Sequence, residues 1–168
     1  MKQKRYQVPF KRRRQGKTDY RQRLRLLKSG KPRVVIRRSN KNICVQFVVY
    51  DSNGDRVVSS VMGNDLQQYG WDGSLNNMPA SYLLGLLAGK RALTKGISEG
   101  VLDIGQHESI HKANIYGVLK GVLDACVEVP HGEAVIPNES RLNGEHIGKD
   151  IPGKVISIKE KIEADYER

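Results

Sequence analysis

The charges of this chain are segregated, and that constrains its fold more than any other feature. Residues 1–41 hold seventeen Lys or Arg and one acid, Asp19, whereas residues 42–168 hold twelve Lys or Arg and seventeen Asp or Glu. The leading segment thus carries net +16 and the remainder net −5, which sum to the formal +11 of the 168-residue chain. Like charges at that density repel one another, so the leading strip gains nothing by condensing on itself. A core has to come from the remainder, and the strip needs a partner of opposite sign. A basic strip beside a mildly acidic body points to a polyanion.

The chain is long enough for one domain with a real core plus extensions. Cys44 and Cys126 lie far apart and form no disulfide framework, which fits a reducing, cytoplasmic setting. The longest near-apolar run, "YLLGLLAG", is far short of the roughly 20 residues that span a bilayer. The N-terminus has no apolar stretch, so no signal peptide is expected. Ser is scarce and the basic region runs straight into a strand, which argues against a mitochondrial presequence.

Met1 to about Gly16 lacks apolar periodicity and reads as disordered or extended when alone. Asp19 to Lys28 is a candidate short helix capped by Thr18 or Asp19, with Tyr20, Leu24 and Leu27 on one side and "SGKP" as its stop. Three strands follow, "RVVIRR", "ICVQFVVY" and "RVVSSVM", joined by "SNKN" and by "DSNGD", whose Asn53-Gly54 suits a tight hairpin turn. Ile43, Val45, Phe47 and Val49 share one face of the second strand. "NDLQQYGW" reads as a short helix or turn. "MPASYLLGLLAGKRALTKG" is a helix, "GVLDIG" a short strand, and "HKANIYGVLKGVLDACVE" a second helix with Ile115, Val118, Leu119, Val122, Leu123 and Cys126 inward. Gly85 and Gly89, and Gly117 and Gly121, are spaced four apart and would let each helix approach the sheet closely. Pro130 to Gly153 is polar and rich in Gly and Pro, an expected extended tail. "SIKEKIEADYER" closes as a short charged helix with Ser157 and Glu160 as a capping box.

The predicted class is therefore α/β, a three-stranded antiparallel meander followed by helix-strand-helix. This β-β-β-α-β-α order is that of an RNase H-like motif, with extended tails at both ends. It divides into a basic arm at 1–30, an α/β core at 31–129 and a C-terminal extension at 130–168.

Sharper chemical readings fail on spacing. "GLLAGKR" is one residue short of a phosphate-binding loop and sits inside a helix. "DSNGD" lacks the later Gly and Glu of a calcium loop. His107 and His111 are the only pair at zinc-ligand spacing and fall in a turn, so no metal site is expected. An RNase H-like RNA-processing nuclease is the alternative function. It needs converging carboxylates, but "RVVIRR" has none and Asp103 stands alone, so Asp103 reads as a structural acid. No catalytic residue, cofactor or small-molecule substrate is expected.

The arm carries the affinity. Lys11, Arg12, Arg13, Arg14, Lys17, Arg21, Arg23, Arg25 and Lys28, with Arg5, can neutralise phosphates and release condensed counterions, which makes binding fall steeply with salt. Tyr6, Phe10 and Tyr20, set among those charges, can stack on bases or wedge between them. Interleaved Pro9, Gly16 and Gly30 suit an arm that follows the irregular surface of folded RNA.

"RYQVPFKRRRQGKTDYRQRLRLLKSGKPRVVIRRSNKNICVQFVVYDSNGD", "YGWDGSLNNMPASYLLGLLAGKRAL", "VLDIG", "VLKGVLDA", "VPH" and "NGEHI" together resemble the archaeal branch of the large-subunit ribosomal protein family that binds 5S rRNA. The resemblance covers nearly the whole chain. It implies a non-enzymatic protein of the cytoplasmic ribosome that docks on 5S rRNA and helps tie it to the large-subunit rRNA in the central protuberance. Neighbouring ribosomal proteins are implied partners, and a membrane is not. It matches the family's basic segment to Arg5 through Arg25, and its turn to "RRSNKN". There Arg37, Arg38 and Lys41 would meet phosphates, while Ser39, Asn40 and Asn42 would bond sugars or base edges. Lys112 and Asn114 match a loop that faces RNA, and "NGEHI" implies a second docking surface.

Overall fold

The computed structural model describes residues 7–166. Its centre is a mixed four-stranded sheet in the order β3-β2-β1-β4, from β1 (Arg33–Arg38), β2 (Ile43–Val49), β3 (Arg56–Met62) and β4 (Val101–Asp103). β1 pairs antiparallel with β2 from Arg33↔Val48 to Arg38↔Ile43, and β2 pairs antiparallel with β3 across a bulge at Phe47/Val48. β4 runs parallel to β1, with Asp103 opposite Val35. The pleat sends alternate residues to opposite faces, so Val34, Ile36, Ile43, Val45, Phe47 and Val61 form a buried inner face. Arg33, Val35 and Arg37 share the outer one.

Two short helices, α1 (Lys11–Arg14) and α2 (Tyr20–Leu27), precede the sheet. Residues 11–14 are thus helical rather than extended. Asp19 caps α2 by accepting from the Arg21 and Gln22 N–H groups at 2.8 and 3.2 Å. The cap confirms one expectation, and the packing side is met in part: Tyr20 and Leu27 are half-buried as expected, but Leu24 is exposed. Gln22, Arg23 and Leu26 are half-buried too, and Arg23 finds an ion-pair partner on the body.

α3 (Met78–Leu93) is the central helix, buried from Met78 through Gly89. It lies on β2 and β3 and is flanked by α4 (Asn114–Asp124) and by two C-terminal helices, α5 (Glu139–Asn143) and α6 (Ile151–Tyr166). Surrounded on several sides, it reads as apolar all round rather than striped. Its Leu83, Leu84, Leu86 and Leu87 are fully buried, each contributing about 1.5–3 kcal/mol.

The paired glycines serve helix–helix contact, not the helix–sheet contact expected from their spacing. A Cβ on Gly85 would lie 2.0 Å from the Val118 carbonyl oxygen, and one on Gly121 would lie 2.1 Å from that of Tyr82. α4 is also shorter than expected. Lys112 adopts φ 60° ahead of it, and Cys126 adopts φ 71° just after it. The Cys126 N–H donates to Leu123 O and the Val127 N–H to Val122 O, at 2.9 and 3.3 Å, the bonds of a Schellman ending. Cys126 is therefore exposed rather than packed inward.

The C-terminal segment departs furthest from expectation. Residues 130–153 are not simply extended: they include a 3-10 turn at Glu133–Val135, the helix α5, and the start of α6. α6 runs sixteen residues, so Ser157 lies inside it and caps nothing. Pro152 falls in its first turn, where the missing N–H breaks no helical bond. Leu142, Val155, Ile158 and Ile162 are buried in the same core cluster as the sheet and α3.

Two backbone groups on the free edge of β3 are engaged from within. The Arg91 Nη1 donates to the Ser60 carbonyl (3.2 Å) and to Asp65 Oδ2 (2.8 Å). The Met62 N–H donates to the same Asp65 oxygen at 3.4 Å, and Arg91 Nε donates to the Tyr166 hydroxyl at 3.1 Å.

Candidate nucleic-acid interface

The arm presents its charges to solvent. Lys11, Arg12, Arg13 and Arg14 are all exposed, and so are Lys17, Arg21, Arg25 and Lys28. Of these, only Arg12 makes a side-chain hydrogen bond to another described residue, from Nε to Thr18 Oγ1 at 2.9 Å. Phe10 is exposed and its ring meets that of half-buried Tyr20, with centroids 5.5 Å apart and planes tilted by 50°. The two aromatics expected to stack on bases thus touch each other. Arg5 and Tyr6 lie outside the described residues.

Arg23 is different. Its Nη2 pairs with Asp55 Oδ1 at 2.8 Å, and Asp55 Oδ2 accepts from Arg33 at 2.5 Å. Arg33 Nη1 pairs with Asp103 Oδ2 at 2.8 Å, and Asp103 Oδ1 accepts from Arg37 Nη2 at 2.9 Å. Five side chains of alternating sign therefore run from α2 across the outer face of the sheet. The pleat explains it: Arg33 and Arg37 flank Val35 on that face, and the parallel register sets Asp103 opposite Val35. Burial pushes the Asp103 carboxyl up. The nearby Arg37 charge, the Arg37 and Arg33 hydrogen bonds and the Gly105 N–H outweigh it and hold the group below the ordinary carboxylate value. A cavity of about 440 Å³ opens between arm and body, with Arg12, Lys17, Arg33 and Arg37 in its wall.

The β1–β2 turn forms the second cluster. The Ser39 N–H donates to Asn42 O at 2.8 Å, and the Asn42 N–H donates to Ser39 Oγ at 3.0 Å. Arg38, Ser39, Asn40 and Lys41 are exposed. Asn42 faces inward instead: its Oδ1 accepts from the N–H groups of Ile43 and Gly63, both at 2.9 Å. That oxygen is spent on tying the turn to the end of β3, so it is not free for a base edge. Arg37 is likewise engaged with Asp103, although its side chain stays 45% exposed.

Asn114 joins this turn from α4. Its Nδ2 donates to the Asn76 carbonyl at 2.6 Å, while the Asn76 side chain contacts both Arg38 and Asn40. His107 Nε2 accepts from the Arg38 N–H at 3.3 Å. Lys112 is exposed, in the left-handed residue ahead of α4. One end of the sheet thus gathers Arg38, Asn40, Lys41 and Asn114 around Asn76 and His107.

The family described as "Ribosomal large subunit proteins 60S L5, and 50S L18" matches residues 4–100, more than half of the chain and the part that holds most of the arm, the strands β1 to β3 and α3. This chain belongs to that family. The large-subunit ribosomal protein resembles its archaeal members throughout. It is 46% identical over 162 residues to large ribosomal subunit protein uL18 of Methanothrix thermoacetophila, covering 94% of this chain and 96% of the relative. It is 50% identical over 143 residues to the uL18 of Korarchaeum cryptofilum, with 85% and 73% covered. The uL18 of Halobacterium salinarum is 48% identical over 145 residues, covering 86% of this chain and 79% of the relative.

For this ribosomal protein the family carries a structural role, and the nuclease alternative is not favoured. Asp103, the acid such chemistry would need, has both oxygens bound by Arg33, Arg37 and the Gly105 N–H. Among the described residues, no group of three His, Cys, Asp or Glu could hold a metal ion.

Sequence reasoning does not single out Asp55 or Asn76 as site residues, and it names His107 only in weighing a zinc pair. Asp55 carries a signal: it is an acid that ends a turn at the edge of a strand, where it reaches across β2 to Arg33 of β1. Asn76 carries one in "NNMP", where Asn77 caps α3 through its bond to the Ala80 N–H, leaving its neighbour free for another task. Trp71, an aromatic that could in principle stack on a base, is buried, with Nε1 donating to Ser74 O at 3.2 Å.

Proposed function

We propose that this protein docks on 5S rRNA and helps attach it to the large-subunit rRNA in the central protuberance. As an archaeal-type member of its family it is a structural constituent of the large ribosomal subunit, at work on the cytoplasmic ribosome. The observation that carries the 5S rRNA reading is the row of unpaired cations on the arm. Lys11, Arg13, Arg14, Lys17, Arg21, Arg25 and Lys28 make no side-chain hydrogen bond or ion pair with other described residues. A ribonucleotide backbone supplies the missing charge, with counterion release as the driving force.

In this reading residues 1–30 act as the arm, 31–129 as the RNA-binding core and 130–168 as an extension seated on it. Arg5, Lys11, Arg12, Arg13, Arg14 and Lys17 track phosphates, joined by the outward charges of α2 and by Lys112. Tyr6, Phe10 and Tyr20 add aromatic contact. The β1–β2 turn offers Arg38, Lys41, Ser39 and Asn40 to phosphate and sugar, while Arg37, Asn42 and Asn114 brace it. Neighbouring ribosomal proteins are the other partners. We also assign the β-β-β-α-β-α order to an RNase H-like motif. The antiparallel pairing of β1, β2 and β3 and the parallel pairing of β4 with β1 support it.

The test is a nuclease footprint of the purified protein on 5S rRNA with tRNA as competitor. Protection of defined nucleotides that survives excess tRNA is expected. Loss of all protection to tRNA would replace the proposal with non-specific polyanion binding.

A further inference from the structure

The loop ahead of α3 places one uncharged side chain at the centre of the turn cluster. Asn76 Oδ1 accepts from Arg38 Nε at 2.9 Å, and Asn76 Nδ2 donates to the Asn40 carbonyl at 3.1 Å. Its own carbonyl accepts from Asn114 Nδ2 at 2.6 Å. Among the described residues, neither terminal amine of Arg38 has a hydrogen-bond or ion-pair partner, and the residue is exposed. A guanidinium tethered only through Nε holds its plane and aims its two-pronged end outward. That is the geometry a planar fork needs to grip two oxygens of one phosphodiester.

We propose that Asn76 is a positioning residue for RNA binding, fixing Arg38 and the Asn40 peptide so that the Arg38 fork meets a backbone phosphate in two bonds. The inference rests on the proposed docking to RNA. The carboxamide suits the task because it accepts at one end and donates at the other. An aspartate would still accept from Arg38, but would set a carboxylate against the Asn40 carbonyl and oppose an incoming phosphate. A free arginine loses more side-chain entropy on binding than one already held, so the tether raises affinity without adding charge.

The experiment compares the intact protein with N76A, R38A, R38K and the N76A/R38A double variant. Binding to a 5S rRNA transcript is measured across a salt series, beside thermal unfolding of each protein. R38A is expected to weaken binding between about fivefold and a hundredfold and to flatten the salt slope by about one unit. N76A is expected to weaken binding several-fold while the slope stays as in the wild type, because the charge remains. In the R38A background, Asn76→Ala should cause no further loss. A merely structural Asn76 would lower affinity equally in every background, and that result overturns the proposal, as does an N76A protein that binds like wild type. If R38A itself binds like wild type, the turn lies outside the interface. That outcome overturns both the positioning role and the turn's part in docking, and R38A alone reveals it.

Discussion

The carboxylate of Asp103 is held between two guanidinium groups by strand geometry, and its energetics follow from burial. Arg33 is 4% exposed and Asp103 5%. A buried pair is not in itself strongly stabilising, but removing one partner strands the other. Here Arg33 keeps its pair with Asp55, so Asp103→Asn should lower the unfolding free energy by about 1–3 kcal/mol in denaturant titrations at neutral pH. The pH dependence has a definite sign. The folded-state pKa lies below 3.8, so the stabilisation is complete above that value and is lost as pH falls through the folded pKa. Acid unfolding of the wild type should steepen below about pH 4, and the Asn variant should lack that component. Arg23→Ala removes a half-exposed pair with Asp55, so its stability effect should stay below about 1 kcal/mol by the same measurement. Asp103 stands out in the sequence as a structural acid, but its partners do not. Arg33 and Arg37 look like two more charges of the arm until the β4 register places Asp103 beside Val35.

At the scale of the elements, α3 and α4 touch through backbone because glycines remove the intervening side chains. Gly121→Ala would place a methyl 2.1 Å from Tyr82 O and 2.6 Å from Leu86 N, backbone atoms that move only if the helices part. The variant should lose about 1–3 kcal/mol despite alanine's higher helix propensity, read as a lower midpoint in thermal unfolding. Gly153→Ala is its control. It lies in α6, where an added Cβ meets no atom within 4 Å, so stability should hold or rise by up to about 1 kcal/mol. The three long strands and α4 can be read from periodicity and α3 from its near-apolar run, since each carries its pattern locally. α6 cannot. Its buried Val155, Ile158 and Ile162 are three apolar positions among many charges, and they become a face only when α3 offers a surface to cover. Ser157 and Glu160 match a capping box by composition, and the helix passes through them.

For the whole molecule, the uneven distribution of charge matters most, and it is plain in the sequence before any fold is known. Residues 1–30 hold twelve Lys or Arg. Deleting them should weaken binding to 5S rRNA and flatten its dependence on salt by several units of slope, since each neutralised phosphate contributes about 0.7–0.9. Titration of both proteins between low and moderate ionic strength checks this, and equal slopes would remove the arm from the interface. The attachment of the arm is hidden in the sequence, because the Arg23–Asp55 link joins residues 32 apart in the chain. The Arg91–Asp65 bridge on β3 has a consequence for the protein before it reaches a ribosome. An open outer strand invites a second copy to add its own, the first step toward fibrous aggregates. By occupying Ser60 O and the Met62 N–H from within, the bridge leaves such a recruit fewer bonding groups to zip onto. A newly made chain thus offers its own copies a shorter seam to join.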